Sequence, residues 1–159
     1  GEQFAVADLA VQSFPTSHDA ADSVGYSITD GRRKAAVATD LGVVTDVVYE
    51  GIRGANLLVL ESNHDVEWLT SGPYPYFLKE RILGERGHLS NEAGAQLACA
   101  AAAGGAGTLV LAHLSQENNT PARAYEVARG ALEHQGVAVG KDVLLEVAPR
   151  GETGPRHVV

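Results

Sequence analysis

The sequence predicts a layered α/β protein, and two observations predict it. The opening segment holds short apolar runs separated by turn residues, "FAVADLAVQSF", "VGYSIT" and "KAAVATD". Helical patterns then alternate with compact apolar runs, "NLLVLES", "TLVLAHLS" and "KDVLLEVAP", which have the length and composition of buried strands. At 159 residues, 45% hydrophobic and 20% charged, the chain suits one globular domain. That domain is expected over residues 1–150, with a polar tail at 151–159.

The elements follow in order. "FAVADLAVQSF" reads as one strand, with Leu9, Val11 and Ser13 in alternation. "VGYSIT" and "KAAVATD" flank "DGRR", and Asp-Gly is a tight-turn signal, so the two form a hairpin. "TDVVYEGIRGA" is a short helix, capped by Thr45, with Val47, Val48, Ile52 and Ala55 apolar and Gly54 closing it. Pro73 and Pro75 break the next stretch into a short turn or helix and a helix at about 75–84. "SNEAGAQLACAAAAGGAG" is a helix with a glycine-rich exit, and Cys99 within it reads as a small core residue. "TPARAYEVARGALEHQG" is amphipathic. Thr120 caps it, Pro121 opens it, Ala124, Val127, Ala128, Ala131 and Leu132 face inward, and Gly136 stops it.

Composition narrows the function. A formal net charge of −8 argues against a broad basic surface for nucleic acid, leaving room for a local patch. No apolar run has membrane-spanning length, and the start "GEQFAVADLA" has no secretory pattern. The single cysteine suits a reducing cytoplasm. The chain has no methionine and begins almost at once with a strand pattern, so it reads as the back portion of a longer protein. There is no G-x-S-x-G nucleophile motif, and "GGAGTLV" leads into a strand, not into a helix as a P-loop does.

The chemistry sits at strand ends. "LAVQSFPTSHD" ends in His18 and Asp19, "KAAVATD" in Asp40, "NLLVLESNHD" in Glu61, Asn63, His64 and Asp65, and "TLVLAHLS" in His113 and Ser115. Side chains from strand-end loops converge in α/β proteins. Imidazoles and carboxylates delivered together suggest metal ligation or acid–base work. The plainer readings are that Asp40 caps a turn and Glu61 is a solvated strand end. Asn118 and Asn119 keep the loop after His113 polar. His134 and His157 read as structural, and Tyr74 and Tyr76 most simply as loop packing, with groove contact the alternative.

The stretches "SFPTSHDAADSVGYSI", "ATDLG", "LLVLESNHDVEWLTSGPYPYFLKERILGERGHLSNEAGAQL" and "LAHLSQENN" resemble the later two-thirds of metallo-β-lactamase-fold hydrolases of the bacterial YycJ/WalJ type. The resemblance runs over nearly the whole chain. It implies part of a four-layer αββα sandwich and two divalent metal ions, zinc or manganese. It implies that His18, Asp40 and His113 are metal ligands, with Asp40 bridging the ions. His88 resembles a non-ligand catalytic histidine of phosphodiesterase and nuclease branches, and Glu61 the acid that orients it. His64, Asp65 and Asn118 are then candidates for substrate binding.

The upstream His-x-His-x-Asp-His signature of that fold is absent, since no two histidines here are separated by one residue. The "TDTG" common in this type is "TDLG" here, with Leu41 the departure. The expected activity is phosphodiester hydrolysis on nucleic acid by the full-length protein, as a DNA exonuclease linked to DNA repair or cell-wall regulation. The alternatives are a small-molecule hydrolase (cyclic phosphodiester, thioester or lactone) and a catalytically incomplete fragment. The expected partners are nucleic acid and the missing N-terminal portion of the domain. Homo-oligomerisation stays open, and no membrane is implicated. Candidate phosphate contacts are Arg32, Arg33 and Lys34 at the hairpin, or Lys79, Arg81 and Arg86.

Overall fold

The strand pairing begins earlier than the sequence pattern indicates. The computed structural model describes residues 1–159. In it, "FAVADLAVQSF" is two strands, β1 (Gln3–Val6) and β2 (Leu9–Pro15). Val6 faces Leu9 across a turn at Ala7 and Asp8. Ala7 takes φ 54, the left-handed conformation that two-residue hairpin turns need. No glycine or asparagine marks this turn, so periodicity alone reads through it as one strand.

The expected hairpin follows, as β3 (Val24–Thr29) and β4 (Lys34–Ala38). Thr29 pairs with Lys34, and the Asp30 carboxylate accepts from the amides of Arg32 and Arg33 to close the loop. After α1 (Asp46–Ile52), capped by Thr45, the chain enters β5 (Leu57–Glu61). Three helices come next, α2 (Val66–Ser71), α3 (Tyr76–Leu83) and α4 (Asn91–Ala103). Then come β6 (Thr108–Ala112), α5 (Pro121–His134) and β7 (Leu144–Val147).

All strands join one seven-stranded sheet in sequence order, β1 to β7. Pairing is antiparallel from β1 to β4 and parallel from β4 to β7. Three successive parallel crossovers step the same way across the sheet. Right-handed crossovers of that kind put α1, α4 and α5 on one face. The core lies between them: Ala36, Leu58, Leu60, Leu109, Leu111 and Leu145 from the sheet pack with Val48, Leu97, Ala98, Ala128 and Leu132 from the helices. Cys99 is half-buried beside this core.

The opposite sheet face carries a registered row, Tyr26, Val37, Val59 and Val110. The tail comes back over part of it, with His157 Nε2 3.5 Å from Glu146. No helix is long and apolar enough to cross a membrane.

The parallel strands β4, β5 and β6 all end at the same edge. The Asp30–Arg33 turn precedes β4 and therefore lies at the opposite edge. That removes Arg32 and Arg33 from any groove at the strand ends. Lys34 turns away too, its ammonium donating to the Arg53 carbonyl.

Helix α4 approaches β5 closely at Gly94, where a Cβ would collide with the Glu61 carbonyl oxygen. Gly94→Ala must push α4 outward, with an expected loss of about 1–3 kcal/mol as for overpacked cores. Urea unfolding checks this, and an unshifted midpoint would count against the packing.

Candidate metal centre

Each site histidine is pinned through its Nδ1. His18 follows β2, and its Nδ1 lies 3.0 Å from the Gly87 carbonyl oxygen. A carbonyl only accepts, so Nδ1 carries a proton and Nε2 is the ring nitrogen left to face Asp40. His88, between α3 and α4, and His113, just after β6, both donate Nδ1–H to one oxygen, Glu61 Oε1, at 2.7 and 2.8 Å. Glu61 Oε2 accepts from the Leu41 amide at 3.0 Å.

Glu61 ends the central strand β5 and is fully buried, not a solvated strand end. Burial pushes its carboxyl upward, but the hydrogen bonds from His113, His88 and the Leu41 amide outweigh that and hold it below its ordinary value. The same contact acts on His113, which is raised above the usual imidazole value by its hydrogen bond to Glu61, against its own partial burial.

Asp40 meets the free nitrogens. Its Oδ1 lies 3.7 Å from His18 Nε2 and 3.6 Å from His113 Nε2. The ring centroids of His18 and His88 are 4.8 Å apart, and those of His88 and His113 5.1 Å. Asp40 and His113 both have left-handed backbones, φ 58 and 59. Such conformations are costly for side-chain-bearing residues and persist where the surroundings impose them.

Close backbone packing supplies that imposition. Gly42 donates its amide to the Ser17 carbonyl, and its Cα packs where a Cβ would strike Gly84 and Gly87. The loops of Asp40, His18 and His88 are thereby pressed together. Leu41 is fully buried in the core, so the position that departs from the common motif anchors the Asp40 loop.

The donor set fits metal ions. Asp40 Oδ1 lies near the Nε2 atoms of both His18 and His113, and one ligand atom each from His18, Asp40 and His88 all lie within 4.8 Å of one another. Two ligands on a tetrahedral ion, at bond lengths of about 2.1 Å, lie about 3.4 Å apart. The separations of 3.6 and 3.7 Å are close to that. Asp40 Oδ1 stands between the two histidines. Each pairing would offer an ion two protein ligands, fewer than a complete shell.

A cavity of about 310 Å³ opens beside this cluster, lined by His18, His88, Asn63 and the inner face of α3. A second, of about 860 Å³, lies on the other side of His113 and shares Ser115 with the first.

The other candidate residues lie deeper. His64, Asp65 and Asn118 are all buried, and none borders either cavity. His64 has no partner on either ring nitrogen, and burial pushes its pKa down, so its ring is neutral. Asp65 caps α2 through the Trp68 amide and pairs with Arg123 of α5 at 2.7 Å. Asn118 accepts the Asp65 amide on its carbonyl.

Sequence reasoning missed a buried clamp. The Asn119 side-chain amide donates to the carbonyls of Ser62 and Asn63 at 2.9 and 3.0 Å and exchanges hydrogen bonds with Asn91. The Ser62 hydroxyl donates to Asn91, and the Asn63 side chain donates to the His113 carbonyl at 2.8 Å. This ties the loops after β5 and β6 to the start of α4. The only signal was three polar runs, "ESN", "SNE" and "ENN", next to apolar elements.

Imidazoles and carboxylates gathered at the strand ends of a mixed sheet narrow the class, and comparison with known proteins identifies it. The chain belongs to the β-lactamase superfamily domain, which residues 1–114 match. Among curated proteins it is similar to exodeoxyribonuclease YycJ of Bacillus anthracis, 42% identical over 134 residues, covering 84% of this chain and 51% of the relative. It is also similar to exodeoxyribonuclease WalJ of Streptococcus pneumoniae serotype 2 (strain D39), 36% identical over 135 residues, covering 85% and 50%. The chain thus spans about half the length of the curated relatives it matches.

Solved structures share the fold. The metallo-β-lactamase fold protein YhfI of Bacillus subtilis matches 95% of this chain and 51% of its own, with TM-score 0.64 and 19% identity. Zn(2+)-bound PqqB of Methylobacterium extorquens matches 92% and 50%, with TM-score 0.58 and 21% identity. The observed sheet and its single helical layer are therefore part of a metallo-β-lactamase αββα sandwich.

Asp65 gives a test of the frame behind the site. Burial pushes its carboxyl upward, but the Trp68 amide and Arg123 outweigh this and lower it. A lowered folded pKa contributes stability above the unfolded value of about 3.9, lost as pH falls through the folded value. Asp65→Ala should therefore cost about 1–2 kcal/mol at pH 7, the worth of a helix cap. The deficit should shrink in acid. A deficit independent of pH would refute the ionised cap.

Proposed function

We propose that the chain is part of a metal-dependent phosphodiesterase that acts on DNA as an exonuclease, with His18, Asp40 and His113 as ligands to two divalent ions. Zinc or manganese fits the nitrogen and oxygen donors. The observation that carries the reading is the shared oxygen of Glu61. It holds His113 with Nε2 3.6 Å from Asp40 and His88 on the cavity wall, which supports reading His113 as a ligand and His88 as the histidine that meets substrate. The names of the curated relatives support DNA as the substrate.

When bound, such ions lower the pKa of water and neutralise phosphoryl charge. The residues of this chain do the rest. Asp40 and His113 hold their ligand atoms in place through strained backbones and a buried carboxylate. His88 presents Nε2 to the cavity, where it hydrogen-bonds a phosphoryl oxygen or delivers a proton to the leaving oxygen. The charge of Glu61 offsets the positive charge that a doubly protonated His88 ring carries. Arg81 and Arg86 stand at this edge, but Arg81 is paired with Asp19 and Arg86 donates to the His18 carbonyl. Lys79 donates to the Thr70 and Gly72 carbonyls. Phosphate contact by these groups requires them to exchange partners.

His88→Ala in the intact protein, as its gene encodes it, should lower phosphodiester turnover by about 10²–10⁴-fold with metal content near wild type. Loss of metal would make His88 a ligand and overturn its role. Asp40→Ala should lower bound metal on elemental analysis, and full occupancy by two ions would overturn the bridging assignment.

A further inference from the structure

The stretch Gly72–Pro73–Tyr74–Pro75 plays no part in the cluster, yet its Tyr74 borders the 310 Å³ cavity next to His18 and His88. Helix α3, which follows it, buries none of its residues fully. It adds little to the core. Its Leu78, Arg81 and Ile82 fall at helical spacing on one face, and that face is the cavity wall. Arg81 pairs with Asp19 of the loop after β2, and Lys79 donates to the Thr70 and Gly72 carbonyls, so the wall is tied down from both sides.

Tyr74 sits between two prolines. Each fixes its own φ, and Pro75 restricts the backbone of Tyr74 as well. The backbone that carries this half-buried ring is therefore restricted before any ligand arrives, which lowers the entropic cost of fixing it on binding.

The cavity combines two chemistries. Loops at the strand ends supply imidazoles and the Asn63 amide. Helix α3 and its lead-in supply an aromatic ring and two aliphatic side chains. A nucleotide has the same division, with phosphate on one side and a flat base on the other. A volume of about 310 Å³ is at the small end of ligand pockets, about 300–1,000 Å³. It suits one residue of a chain more than a length of duplex.

We infer that this cavity is the subsite for the terminal nucleotide of the substrate strand, with Tyr74 stacking on its base while His18 and His88 face its phosphate. The inference rests on the phosphodiesterase reading and adds to it the recognition of an unpaired terminal base. Stacking tolerates any base, because every base has a π-face. The subsite therefore selects for the presence of a base and against its absence, without reading sequence.

The test uses the intact protein with bound metal and single-stranded oligonucleotides whose terminal nucleotide is natural or abasic. In the wild type, the abasic end should raise KM by about tenfold, within the range that base–aromatic stacking supports. Tyr74→Ala should reduce that ratio to within about twofold, and Tyr74→Phe, which keeps the ring, should retain it. Tyr74→Leu keeps apolar bulk without the π-face and should behave like alanine. A wild type that does not distinguish the two ends, or a ratio unchanged in Tyr74→Ala, overturns the subsite. Turnover of bis(p-nitrophenyl) phosphate by the wild type separates the two failures. If it is present while the discrimination is missing, only the subsite falls. If it is absent with metal bound, the phosphodiesterase reading falls and the subsite with it.

Discussion

One buried carboxylate oxygen organises this molecule. Glu61 Oε1 accepts from both His88 and His113, and Oε2 takes the Leu41 amide from the Asp40 loop. Three segments distant in sequence are thereby fixed relative to one another by a single side chain. A buried carboxylate is expensive unless its hydrogen bonds are filled, and here they are filled by the groups it must position. Desolvation and positioning are two aspects of one arrangement. Any change that loosens one histidine leaves Glu61 with an unmet charge, so its effect reaches the other histidine.

The fold explains why Glu61 can do this. β5 lies between β4 and β6 in a parallel ladder, so residues at the ends of three adjacent strands fall side by side. Asp40 comes from the β4 exit, Glu61 from the end of β5 and His113 from the β6 exit. Strands in a sheet lie about 4.8 Å apart, and that spacing suits a carboxylate reaching one neighbour on each side. The asparagine clamp keeps the loops beyond these strands from drifting. Gly94 lets α4 approach closely enough to bring His88 in from the helical layer.

The sequence disclosed the strand ends but not how they meet. Apolar runs ending in Asp40, Glu61 and His113 were visible because strand and loop differ sharply in polarity. The long α5 was visible because its cap, its proline and its apolar stripe agree. The β1–β2 turn was hidden, since no glycine or asparagine marks Ala7 and Asp8 and the apolar run continues past them. The double duty of Glu61 was hidden for a different reason: it depends on strand order, which no local pattern encodes. Arg32 and Arg33 looked like phosphate contacts because composition carries no direction, and only the ladder shows that their turn is at the far edge. His64, Asp65 and Asn118 show the same limit, since polar residues at a strand exit can serve the scaffold as readily as a cavity.

Asp40 and His113 hold backbone conformations that their side chains disfavour. Strain of this kind costs about 1–3 kcal/mol per residue. Both residues are also the ones whose side chains leave the core and face the cluster. Thermodynamic optimisation and chemistry therefore pull in opposite directions at the same two positions. An engineer seeking a hardier protein would be drawn first to these residues, and relaxing them would dismantle the site that the scaffold is built to hold.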